Sequence, residues 1–142
     1  MLAKALKRMN KEEKGFTLIE LLAVIVILGI IAVIAVPMIL GIINNTEEDA
    51  DVATGRQVYE AARLYNIAEG LGNVDVTLAT LITQNYLEAG IMLPSTKVRI
   101  LNGLVDYDAN GVLIDVSFTS DDARTNVIGR VTRAQIDAGE AD

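Results

Sequence analysis

One carboxylate stands alone in an otherwise apolar stretch. Glu20 follows Phe16 by four residues and precedes Leu21–Val36, which has no polar side chain, and no charge reappears before Ile43 has passed. An acid at the centre of a membrane helix costs about 2.5–3.5 kcal/mol, less near the interface, so such a group asks for a partner. As an acid at a helix start it would also complement the helix dipole. That explains its position, but not why an acid sits inside an apolar block. A second constellation is Asp106-Tyr-Asp108-Ala-Asn110-Gly111, with three oxygen-bearing side chains at alternate positions before a glycine. This spacing matches the first half of a calcium loop. The twelfth loop position is Ser117, not a bidentate Glu, and the flanks read as strands. Asp, Asn and Gly are also the ordinary residues of a tight solvated turn. The turn is the expected reading and calcium the competing one; no other cofactor or metal is expected.

Other chemistry is scarce. The chain has no histidine and no cysteine. That removes the usual general base, the usual zinc ligand and every Ser-His or Cys-His nucleophile. The few serines include Ser95, Ser117 and Ser120. A structural protein is expected, and a membrane-anchored enzyme is the rival class. Without cysteine the domain folds without disulfides, which leans towards an envelope that does not rely on them, as in Gram-positive bacteria.

The elements that position these residues follow from charge and period. Residues 1–15 carry Lys4, Lys7, Arg8, Lys11 and Lys14 against Glu12 and Glu13, a net of +3. The whole chain is −7, which leaves −10 on the remainder. A basic head, an apolar block and an acidic body is the order expected when the head stays in the cytoplasm and the body crosses the membrane. The block Leu21–Ile43 spans about 34 Å as a helix, enough for a bilayer core. Gly29, Pro37 and Gly41 weaken it locally, and Pro37 predicts a kink or loosened turn because it cannot donate to the Val33 carbonyl. Beyond Asn44 the period persists while the composition changes. Val52, Gly55, Tyr59, Ala62 and Tyr65 form one apolar stripe. One long helix is therefore expected from about Phe16 to Glu69, ended by Gly70 and Gly72.

A second helix is expected over about 77–89, capped by Thr77 and closed by Gly90. An antiparallel sheet is expected over about 97–131. Asn102-Gly103 is the expected hairpin turn between Val98–Leu101 and Leu104–Tyr107. Val112, Ile114, Val116 and Phe118 are expected on one face of the next strand, and Asn126–Val131 as a fourth. Thr132-x-x-Gln135 has capping-box spacing and predicts a short helical turn in the tail. The fold class is α+β: a long N-terminal helix packed by its second half on a small antiparallel sheet.

The segment Lys14-Gly-Phe-Thr-Leu-Ile-Glu-Leu-Leu, followed by an apolar run ending at Pro37, closely resembles the N-terminus of type IV pilins and pseudopilins. The motif covers roughly Lys14–Pro37. The resemblance implies cleavage between Gly15 and Phe16 by a prepilin peptidase, N-methylation of Phe16, and an assembly role for Glu20. It implies residues 1–15 as a removed leader, 16–43 as the membrane and filament-core helix, and 44–142 as the domain outside the membrane. The implied partners are other copies of the chain, the peptidase, a polytopic inner-membrane platform protein and a cytoplasmic assembly ATPase. The expected location is a single-pass cell membrane before assembly and a surface pilus after it. An ordinary signal would need a small-residue cleavage site after its apolar region, yet this run continues into an amphipathic helix. A major pilin for adhesion or motility is the leading role, with a competence or secretion pseudopilin as the alternative. Direct nucleic-acid binding is not expected from an acidic domain whose nearest approach to a basic cluster is Arg124, Arg130 and Arg133.

Overall fold

A computed structural model describes residues 17–120 and 127–141. Helix α1 runs Leu18–Ala68. The chain divides into two compact units, with the boundary between Gly41 and Ile42. In the first unit the large apolar side chains, Leu18 to Leu40, are all exposed. Pro37 lies inside the helix, which continues past it.

In the second unit α1 buries Val52, Gly55, Val58, Ala61, Ala62 and Asn66. The expected stripe holds at Val52, Gly55 and Ala62. Tyr59 and Tyr65 are only half-buried. Each leans on another ring: Tyr59 on Tyr107 at 6.4 Å and Tyr65 edge-on to Tyr86 at 5.5 Å. The helix ends as expected at Gly70. Its φ of 65° is left-handed. Gly70 N donates to the Ile67 carbonyl at 3.3 Å and Leu71 N to the Asn66 carbonyl at 3.0 Å, the paired bonds of a glycine-terminated helix.

The rest of this unit is β1 (Val76–Thr77), α2 (Leu78–Thr83), β2 (Met92–Leu93), β3 (Val98–Arg99), β4 (Asn102–Tyr107), β5 (Leu113–Thr119), β6 (Val127–Thr132) and α3 (Arg133–Ala138). β1, β4, β5 and β6 form one antiparallel sheet in that order, and β2 and β3 pair separately. Phe118, Val116, Val105, Leu78, Leu81 and Leu93 lie in the core with the buried face of α1. Long helix and small antiparallel sheet make the α+β class expected from sequence.

Four local expectations are corrected. The helix expected over 77–89 stops at Thr83, because Asn85 adopts φ 62° and takes the terminating role assigned to Gly90. Tyr86 N then donates to the Leu81 carbonyl at 2.9 Å, and Asn tolerates this conformation better than other residues with a side chain. The main sheet begins at Val76, not near 97, and Val98–Arg99 belongs to the separate pair. Asn102-Gly103 is not a hairpin turn. Neither residue has the positive φ such a turn needs, and both lie in β4, opposite Thr119 and Phe118. A Cβ on Gly103 would stand 2.4 Å from the Ser117 carbonyl oxygen, so this glycine serves close strand approach.

The fourth correction is the face of β5. Asp106 pairs with Asp115 and Tyr107 with Leu113, so Ile114 is the extra residue of a bulge. A bulge reverses the alternation beyond it. Val116 and Phe118 are buried as expected, but Leu113 replaces Ile114 inside, and Ile114 is 46% exposed. The tail agrees with its spacing: Thr132 and Gln135 form a capping box at the start of α3, which Gly139 closes at φ 84°.

Candidate functional site

Gly15 and Phe16, and with them the leader, lie outside the described residues. Glu20 stands in the first turn of α1. Its Oε2 accepts from the Thr17 backbone N–H at 2.7 Å and from the Thr17 hydroxyl at 2.8 Å. Thr17 Oγ1 in turn accepts from Glu20 N at 3.3 Å. Thr17-x-x-Glu20 is therefore a reciprocal cap, and its spacing in the sequence is that of a capping box. The carboxylate is hydrogen-bonded within its own chain, yet stays exposed.

Around it the described part of the first unit offers apolar surface and little else. By length and composition α1 can cross a membrane. Large exposed apolar surface of this kind marks a membrane or protein contact.

The acidic run at the start of the second unit does a different job. Asp51 accepts from the backbone N–H of Ser95 at 3.0 Å and from its hydroxyl. Glu47 meets Lys97 at 3.0 Å, and Asp49 accepts from Ala141 N at 2.9 Å. Arg56 donates to the Ile136 carbonyl. These groups fasten the 94–97 turn and the tail to α1, which the sequence pattern of scattered acids did not reveal. Gly55 lets β6 approach: a Cβ there would meet Val131 at 2.8 Å.

The residues of the Asp106 loop do not converge. Asp108 Oδ1 accepts from Asn110 N and Val112 N, each at 2.8 Å, and these bonds hold its carboxyl below the usual aspartate range. Gly111 N donates to the Asp108 carbonyl at 2.9 Å, and Gly111 has φ 75°. Asp106 belongs instead to an acidic group on the sheet. Burial raises its pKa, and the neighbouring Asp75 and Asp115 raise it further. Asp115, itself buried, is paired with Arg130 at 3.4 Å. Arg133 pairs with Asp137 at 3.3 Å, and Arg124 lies outside the described residues. Burial pushes the Tyr107 hydroxyl up to about 12, so it stays protonated.

A helix whose apolar first half is exposed and long enough to cross a membrane runs on into a small α+β domain, the arrangement of a protein with one membrane-spanning-capable helix and one folded domain. The signature described as the prokaryotic N-terminal methylation motif matches residues 10–36. The type IV major fimbrial protein FimA of Dichelobacter nodosus strain VCS1703A is 30% identical over 130 residues, covering 84% of this chain and 75% of the relative. A second FimA sequence from Dichelobacter nodosus matches to the same extent. No solved structure gives a significant match. The chain belongs to the type IV pilin family. That is a family of structural subunits, so this is not an enzyme. Its members are processed from prepilins, anchored in the membrane by the apolar helix and assembled into surface filaments of many copies.

Proposed function

We propose that this chain is the major subunit of a type IV pilus used in adhesion or motility. The observation that carries this reading is the extent of the relation to proteins named as major fimbrial proteins. At 84% of the chain it reaches well beyond the N-terminal motif into the outer domain. In this reading a prepilin peptidase cuts between Gly15 and Phe16 and Phe16 is N-methylated. The leader faces the cytoplasm, residues 44–142 lie outside, and Glu20 acts in assembly. A polytopic platform protein in the membrane and a cytoplasmic ATPase drive extraction of α1 from the bilayer. The Asp106 loop is a structural turn without calcium, a reading supported by the use of Asp108 on its own backbone.

The test is electron microscopy of sheared surface filaments with intact mass and N-terminal sequencing of their main component. The expected result is long filaments dominated by this chain, beginning at methylated Phe16. A different N-terminus would refute the cleavage site. Long filaments in which the chain is only a trace component, or no long filament at all, would favour the competence or secretion pseudopilin.

A further inference from the structure

Two exposed apolar patches of the second unit lie at opposite ends of its part of α1. At one end Leu64 and Ile67 project from the last turns of the helix, and Leu71 follows the terminating Gly70; all three are exposed. Arg63 is paired there with Glu60 at 3.6 Å. Glu69 is exposed and makes no ion pair among the described residues. The last turn of α1 holds no basic residue, so its own helix supplies no cation for the negative end of the dipole.

The β2–β3 pair sits at the other end. Its turn is fastened to the start of this part of α1, by Lys97 on Glu47 at 3.0 Å and by Ser95 N on Asp51 at 3.0 Å. From Asp51 to Ile67 the helix rises about 24 Å. Met92 stands directly opposite Arg99. Leu101 follows Arg99 on the same side of the chain, because Ile100 between them points into the core. Met92, Arg99 and Leu101 are all exposed, and the Arg99 guanidinium has no partner among the described residues.

We propose that these two patches bind each other between successive copies of the chain. Leu64, Ile67 and Leu71 of one copy pack on Met92 and Leu101 of the next, whose Arg99 faces Glu69 and the carbonyl end of α1. This contact presupposes the filament reading above. A second copy is the fitting occupant because each patch holds the charge that the other lacks. The position of the patches agrees with it. Unlike surfaces at opposite ends of one unit make a heterologous contact, which repeats in one direction and builds an open filament. A patch that bound its own kind would close a dimer instead.

The test uses filaments sheared from cells producing the full-length chain. The chain has no cysteine, so Ile67→Cys and Met92→Cys can be combined without background. After mild oxidation, filaments of the double variant should give a ladder of covalent multimers on a non-reducing gel, while each single variant stays monomeric. Double-variant filaments without a ladder would overturn the proposal, and so would dimers from a single variant. A thiol dye on Met92→Cys that is already shielded in unassembled, membrane-inserted subunits would assign this face to the bilayer surface instead. Charge exchange gives an independent reading. Arg99→Glu and Glu69→Arg should each lower filament yield about tenfold, because like charges then meet, and the two together should restore it. No loss in either single variant, or no recovery in the pair, would equally overturn the contact. Absence of filaments from the unaltered chain would instead refute the filament reading itself.

Discussion

The two parts of α1 share one helical backbone and differ in where their side chains find partners. From Leu18 to Leu40 the large apolar groups are exposed, and the carboxylate of Glu20 is met by Thr17 alone among the described residues. From Val52 to Asn66 one face is buried under the sheet, and just before it the acids Glu47, Asp49 and Asp51 hold defined main-chain and side-chain partners. The contrast teaches that helix formation alone says nothing about what a helix is for. In the first part, stability and function depend on what surrounds the chain, bilayer or other copies. In the second, the chain supplies its own surroundings.

The sharpest way to break this comparison is at Glu20, where cap and charge separate. Glutamine still closes a capping box but carries no charge. Glu20→Ala and Glu20→Gln should both leave cleavage and membrane insertion intact and abolish filaments by microscopy, if the charge acts between subunits. Abundant normal filaments of Glu20→Gln alone would reduce Glu20 to the cap seen here.

The complementary cut removes everything before Asn44. The remaining α+β domain should stay a soluble, folded monomer by circular dichroism, and an unfolded product would refute its self-sufficiency. In that background Gly55→Val should cost about 1–3 kcal/mol, read as a lower Tm, because the added atoms meet the rigid, buried Val131.

A smaller effect is expected on the sheet. The pKa of Asp106 is raised in the fold, so the folded state binds more protons than the unfolded chain between the ordinary aspartate value and the raised one. Stability contributed by this group is therefore present at low pH and falls as pH rises through that window. Asp106→Asn should raise Tm at neutral pH, and the gain should vanish in acid; a gain independent of pH would point away from repulsion by Asp75 and Asp115. The smallest effect is at the neighbouring turn. Millimolar calcium should leave Tm unchanged, whereas a calcium-dependent rise that Asp108→Ala abolishes would establish a calcium site.

Much of the local structure was legible because its causes lie within a few residues. Gly70 ends α1 where a left-handed residue is needed, and Thr132 with Gln135 caps α3 at the spacing expected. The Thr17–Glu20 cap was equally local and could have been read. Where local signals competed, the nearer one won: Asn85 ended α2 before Gly90 was reached. Asn102-Gly103 misled for the opposite reason. Its preference for a turn was overridden by the pairing of β4 with β5, a contact between distant segments.

By itself the sequence determined that a basic segment precedes an apolar helix bearing one acid, since composition and period there need no other part of the chain. It also determined the α+β class, through the change from helical to alternating period. Only the tertiary structure decided which acids become fastenings, that Ile114 bulges and hands its inward place to Leu113, and that Gly103 lies against Ser117. Those outcomes depend on strand register and on the approach of segments up to 92 residues apart. A one-residue change of register exchanges the buried and exposed faces of a strand, so no local pattern could fix them in advance.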